Sequence, residues 1–227
     1  MMDKLSPIQP KNIRFQLPED HIPAWHLTDW TNKEKVREEL QRLKKEMQAP
    51  NIRVTASLLL KRVMPVFSWA ISMHFLTNKL YNLPKANLYF ASRWDSDKWV
   101  PTLHVTNCPV HTVREEWTAR KLVVEFILPF VEVLSATAKV SKKILLENVY
   151  IALRKLFTED GPKKMPQQVD WRKEWQQICH MKSFAFYHDE ESRLFPSGEM
   201  YRVRQTCCMK CKLPDSKKCK TCPMLGC

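Results

Sequence analysis

The run NIRVTASLLLKRVMPVFSWAISMHFLTNKL, residues 51–80, decides the class of fold. Its apolar residues fall on several sides rather than along one stripe, the pattern of a helix enclosed by others. Pro65 either kinks one long helix or begins its second half. The segment before it reads differently. Thr31 and Glu34 have capping-box form, and Val36, Leu40, Leu43 and Met47 fall at i, i+4, i+7 and i+11 on an otherwise charged stretch. That narrow stripe predicts a surface helix ending near Pro50.

Downstream, residues 84–113 change character. Asn87-Leu88-Tyr89-Phe90-Ala91-Ser92-Arg93-Trp94, a polar Asp95-Ser96-Asp97, and Lys98-Trp99-Val100-Pro101-Thr102-Leu103-His104-Val105 read as a hairpin near 86–105. Pro101 confines its second strand to an edge or a bulge. A second helical block is expected over 113–158, broken at Pro129 and near Ser141, with Leu145, Val149, Ala152 and Leu156 repeating the helical spacing. Trp171 to Met181 is a further short helix, and 184–203 has no clear period. The expected class is α+β and predominantly helical: a helical body, a small β-hairpin or sheet, and a cysteine-rich segment.

Asp160-Gly161-Pro162-Lys163-Lys164-Met165-Pro166 has the composition of a linker. The expected organisation is therefore a mostly helical body at 1–160, a linker with a second helical or irregular part at 161–200, and the cysteine segment at 201–227. There is no internal repeat.

Composition narrows the chemistry. The three glycines of this 227-residue chain, Gly161, Gly198 and Gly226, stand singly, so neither a dinucleotide fingerprint nor a P-loop can be written. The most apolar stretch, Val63 to Asn78, is interrupted by Pro65, His74 and Asn78, and no membrane-spanning segment is expected. The first residues, Met1-Met2-Asp3-Lys4-Leu5-Ser6-Pro7, lack the order of a secretion signal, so the expected location is cytoplasmic. In a reducing compartment eight cysteines point to metal or redox roles rather than structural disulfides. The net charge of +13 favours anionic partners: nucleic acid, a phospholipid surface or an anionic small molecule. Residues 201–227 hold seven basic residues against one acid.

Six of the eight cysteines, Cys207, Cys208, Cys211, Cys219, Cys222 and Cys227, lie within 21 residues. Cys108 and Cys179 stand alone and read as small buried residues. Two ligand sets fit the spacing. Cys208-x2-Cys211, seven residues and Cys219-x2-Cys222 would form a zinc knuckle whose lysines suit nucleic-acid phosphates. Alternatively Cys207-Cys208, ten residues and Cys219-x2-Cys222 would hold an iron–sulfur cluster. Adjacent cysteines diverge, which suits two separated metals better than one small ion.

The second set has a likeness. Val203-Arg204-Gln205-Thr206-Cys207-Cys208-Met209-Lys210-Cys211-Lys212-Leu213-Pro214, then Cys219-Lys220-Thr221-Cys222-Pro223, resembles the carboxy-terminal signature of FhuF-like ferric-siderophore reductases. The resemblance covers about a tenth of the chain. It implies a [2Fe-2S] cluster on Cys207, Cys208, Cys219 and Cys222, and an oxidoreductase of cytoplasmic iron transport that reduces Fe(III)-siderophore by one electron so that Fe(II) leaves. A separate donor protein or reductase would supply the electron. Arg202 and Arg204 become substrate-binding candidates, and 1–160 the siderophore-interacting body. Peripheral association with the inner face of the membrane fits the basic surface, while nucleic acid is disfavoured by the shortage of aromatics among the cysteines. The sequence departs from the family in lacking glycine in the spacer, where Asp215-Ser216-Lys217-Lys218 must turn, and in placing Cys211 where an aromatic is usual. Cys211 or Cys227 could replace one of these ligands or bind zinc.

Other residues were weighed for function. Arg93, Trp94, Lys98, Trp99 and His104 have the composition of an anion pocket, but buried tryptophans with a charged rim is the plainer reading. His188-Asp189-Glu190-Glu191 reads as a solvated acidic loop before a hard-metal site. Asn148 reads as a buried hydrogen-bonding residue.

Overall fold

The computed structural model describes residues 13–14, 25–77, 79–83, 87–91, 94–95, 98–99, 102–112, 119–164, 170–187, 204–214, 216, 219 and 222–223. It is a predominantly helical α+β fold with a small β layer, the expected class.

Helix α1, Lys33–Glu46, begins one residue later than the capping-box reading. The cap is Asn32, whose Oδ1 accepts from the N–H groups of Glu34 at 2.9 Å and Lys35 at 3.2 Å. The apolar stripe points inward: Val36, Leu40, Leu43 and Met47 are all fully buried. Each such side chain stabilises the fold by about 1.5–3 kcal/mol relative to exposure.

Helix α2, Ile52–Thr77, runs unbroken through Pro65. Asn51 starts it, with Oδ1 accepting from the N–H groups of Arg53 and Val54. Contrary to the sequence-based expectation, its length and composition suffice to cross a membrane, but most of its apolar window is buried inside the protein. It packs against α5, Lys142–Lys155, and against α1 and α4, Leu128–Ala138.

Pro129 does not break the second block either. Helix α3, Ala119–Leu122, passes through a π-helical turn, Val123–Ile127, into α4. The Leu128 N–H reaches back five residues to the Val123 carbonyl, so the widened turn receives the proline where an ideal helix would need its missing donor. The real break comes at Lys139, which adopts the left-handed conformation at φ 51° before α5 begins.

The expected linker is helical at its start. A π turn, Leu156–Asp160, continues α5 into α6, Gly161–Lys164. Gly161 is there because nothing larger fits: a Cβ would lie 2.7 Å from the Trp171 ring. Helix α7, Trp171–Cys179, is capped by Asp170, which accepts from the Lys173 N–H at 3.0 Å, and a 3₁₀ segment follows at Lys182–Tyr187. Trp171, Ile178, Phe184 and Tyr187 belong to the same core as Leu40 and Leu59, so this described part is not a separate unit.

The hairpin forms. With β1 Ile13–Arg14, β2 Trp25–His26 and β3 Lys79–Tyr81 preceding it, β4 Asn87–Ala91 pairs antiparallel with β7 Thr102–Thr106, from Asn87 opposite Thr106 to Ala91 opposite Thr102. Between them β5 Trp94–Asp95 pairs with β6 Lys98–Trp99. The sheet order is β1-β7-β4-β2, and β3 pairs separately with β8, Val110–Thr112. Leu88, Leu103 and Val105 are buried and tie the sheet to the core.

Candidate metal centre

The central α2–α5 pair offers polar groups where an all-apolar interface would be expected. Ser57 on α2 and Glu147 and Asn148 on α5 are all buried. Asn148 Nδ2 donates to the Ser57 carbonyl and lies 3.1 Å from its hydroxyl. These groups receive the cysteine segment. Buried polar groups need partners, and each of these three also has one on the segment that follows residue 203.

Arg204 is the first clamp. It is 4 % exposed, and its Nη2 donates to Asn148 Oδ1 at 2.6 Å and lies 3.4 Å from Glu147 Oε2, while Nε donates to the Thr206 carbonyl at 3.0 Å. Glu147 is the second clamp. Its carboxylate accepts from the backbone N–H of Gln205 at 2.6 Å, from that of Thr206 at 2.9 Å, and from the Thr206 hydroxyl. The expectation that Arg204 meets substrate is corrected by this geometry: its guanidinium is committed inside the protein and shapes the chain entering Cys207. Arg202 lies outside the described residues, as do Arg93, His188-Asp189-Glu190-Glu191 and Cys227.

The cysteines then converge. Cys207 Sγ lies 3.9 Å from Cys211 Sγ, and Cys208 Sγ lies 3.8 Å from Cys219 Sγ. Cys222 interacts electrostatically with both Cys207 and Cys219. The turn geometry is local. Met209 takes the left-handed conformation at φ 62°, which costs a non-glycine residue about 1–2 kcal/mol. Its N–H points at Cys207 Sγ at 3.3 Å, and a 3₁₀ turn, Lys210–Lys212, follows. The Cys222 N–H bonds the Cys219 carbonyl at 3.0 Å, closing the second Cys-x2-Cys turn. In the expected spacer turn, Asp215, Lys217 and Lys218 lie outside the described residues, and the Ser216 N–H bonds the Leu213 carbonyl at 3.4 Å.

Helix α2 supplies the other wall. The Ser57 hydroxyl donates to the Cys208 carbonyl at 3.1 Å, and one helical turn on, Lys61 Nζ donates to Cys208 Sγ at 3.4 Å. Burial alone would raise the Cys208 thiol. The Lys61 ammonium, the Lys210 N–H and the Arg204 guanidinium outweigh it, and the thiol lies below its ordinary value. Burial and the neighbouring Cys208 charge push Cys219 up to about 11, and burial with Cys211 nearby puts Cys207 at about 11. Of the Cys208–Cys219 pair, Cys208 is the more acidic.

Two thiolates on one metal, with bonds near 2.3 Å at the tetrahedral angle, stand about 3.8 Å apart. Both close pairs have that separation. Among the described residues no group of three or more His, Cys, Asp or Glu is gathered for one ion. The described sulfurs thus form two close pairs, Cys207 with Cys211 and Cys208 with Cys219. Cys208 and Cys219, two of the four expected ligands, lie side by side, and Cys222 is in electrostatic reach of Cys207 and Cys219. Cys211 joins them, and the signal for it was the Cys207-x3-Cys211 spacing across a single turn.

The remaining candidates lie elsewhere. Cys108, between β7 and β8, has its thiol pushed up to about 12 by burial, and Cys179 closes α7. His104 is half-buried in β7; of Trp94, Lys98 and Trp99 only the strand backbone is described. Sequence reasoning missed Ser57, Lys61, Arg62 and Glu147. Lys61-Arg62 did leave a trace: it is the only charged pair inside the apolar run 54–73. Neither a family model nor a curated protein matches this chain.

Proposed function

We propose that this protein is a ferric-siderophore reductase, an oxidoreductase whose cofactor is a [2Fe-2S] cluster held by Cys207, Cys208, Cys219 and Cys222. The observation that supports it most is the gathering of these cysteines beneath a cationic wall: Cys208 Sγ lies 3.8 Å from Cys219 Sγ, Lys61 Nζ sits on Cys208 Sγ, and Cys222 is in electrostatic reach of Cys207 and Cys219. Such a cluster, when bound, supplies a one-electron couple. That matches the one-electron reduction of Fe(III) chelated by hard anionic oxygens, which hold Fe(II) much less tightly.

The chain's own residues do the remaining work. Glu147, Arg204, Asn148 and Ser57 fix the backbone on either side of Cys207 and Cys208. Lys61 favours the thiolate form of Cys208, the form that binds metal. Cys207, Cys211 and Cys219 are half-exposed, so the site is reachable by a docked anionic chelate and by a separate electron-donor protein. The setting of this activity is the cytoplasm, with the basic surface able to rest on anionic lipid.

Anaerobic isolation, iron, sulfide and zinc analysis, and an electron paramagnetic resonance spectrum after dithionite test the proposal. The expected result is equal iron and sulfide with a reduced-state signal, bleached or altered by Cys222→Ser and untouched by Cys108→Ser. The pre-reduced protein should convert an Fe(III)-hydroxamate complex to Fe(II), trapped by a ferrous chelator. Stoichiometric zinc without iron would overturn the assignment.

A further inference from the structure

Three cations from two distant parts of the chain meet beside the thiols. Lys61 and Arg62 come from the middle of α2, and Lys210 from the turn after Cys208. Lys61 touches Cys208 Sγ directly, while the charge of Arg62 acts on Cys208 and that of Lys210 on both Cys208 and Cys219. All three are half-buried, and like charges gathered in one place repel one another. Among the described residues no carboxylate pairs with any of them. Crowding three like charges in a partly dry site is unfavourable unless an anion sits against them, and the group that Lys61 meets on this wall is the Cys208 sulfur.

We propose that Lys61, supported by Arg62 and Lys210, tunes the reduction potential of the thiolate-held centre upward. The inference rests on the iron–sulfur reading above. Four thiolates with an oxidised two-iron, two-sulfide core carry a charge of about −2, and reduction makes it about −3. A fixed cation and an N–H donor on one ligand sulfur favour the more negative state, so both effects have the same sign. The placement is not incidental to packing. Ser57 and Lys61 are i and i+4, hence on one face, and they take the carbonyl and the sulfur of the same residue. Ser57 fixes where Cys208 is, and Lys61 then acts on it from a set distance.

The test is a redox titration of the anaerobically isolated protein followed by electron paramagnetic resonance, with iron and sulfide measured on every sample. Lys61→Gln should retain its iron and shift the one-electron equilibrium at least tenfold toward the oxidised form, a fall of about 59 mV. Lys61→Arg, which keeps charge and donor, should restore most of that. Arg62→Gln and Lys210→Gln, which remove charge without a bond to a ligand, should shift the potential the same way by less. Wild-type potential in a fully loaded Lys61→Gln protein overturns the inference. Should Lys61→Gln lose its iron, the other two variants decide, and unchanged potentials in both overturn it. Wild-type protein without iron fails the functional reading itself, which metal analysis reveals before any titration.

Discussion

Replacing Glu147 by alanine attacks the joint between body and cysteine segment. The carboxylate is 2 % exposed and satisfies two backbone N–H groups, a hydroxyl and the Arg204 guanidinium. Truncating one partner of a buried ion pair costs about 3–5 kcal/mol, because the remaining charge stays dry and unpaired. The segment has an escape, however: if it undocks, Arg204 regains water, so the loss cannot exceed the free energy of docking. Two readouts therefore bracket the effect. Urea denaturation of Glu147→Ala should show a fall of about 3 kcal/mol, or else hydrogen exchange over residues 204–214 should accelerate by about a hundredfold while the α2 core keeps its protection. The double variant Glu147→Leu, Arg204→Met should recover much of the stability, since an apolar pair of similar volume leaves no orphaned charge. Glu34→Ala, on the exposed first turn of α1, should stay within about 0.5 kcal/mol. If Glu147→Ala behaves like Glu34→Ala in both assays, the clamp described here does not hold the segment.

Two further outcomes follow from the fold. Burial lowers the His74 pKa below its ordinary 6.5, with a backbone hydrogen bond to Lys79 acting the other way, so the unfolded chain takes up a proton that the native protein resists. The stability associated with neutral His74 is complete above about pH 6.5 and is lost as pH falls toward the folded value. The urea midpoint of the wild type should drop more between pH 7.5 and 5 than that of His74→Gln, and parallel slopes would refute the assignment. Gly161→Ala gains up to about 1 kcal/mol of helix propensity but drives a methyl to 2.7 Å from the Trp171 ring and 2.8 Å from the Leu156 carbonyl. Overpacking costs about 1–3 kcal/mol, so the net change should be a lowered melting temperature.

What could be read from the sequence was local. The stripe of α1 and the hairpin at 87–106 depend on periods of 3.6 and 2 and on turn residues a few positions apart, and both formed. The proline at 129 misled, because a helix interrupted by proline and one that accommodates it have the same composition; the π turn at Val123–Ile127 is what decided it. Gly161 misled for a related reason. Glycine beside proline suggests a free chain, but here it makes room for an indole 10 residues away. The cysteine cluster was legible as a cluster because its spacing is short. Its wall was not: Lys61 and Ser57 are brought to Cys208 only by the α2–α5 packing, and nothing near Cys208 in the sequence announces them. Arg204 was legible as a residue of interest and misread in role, since burial belongs to the folded chain alone.

The bonds from Ser57 and Lys61 to Cys208 span 151 and 147 residues. A ribosome adding roughly 5–20 residues per second makes α2 about 7 to 30 s before it makes the sulfurs. During that interval the growing polypeptide presents Lys61 and Arg62 with no cysteine sulfur facing them. Any metal loading would then follow completion of the helical body, and the cysteine segment grafted onto another protein would bring its thiols without the surface that meets them.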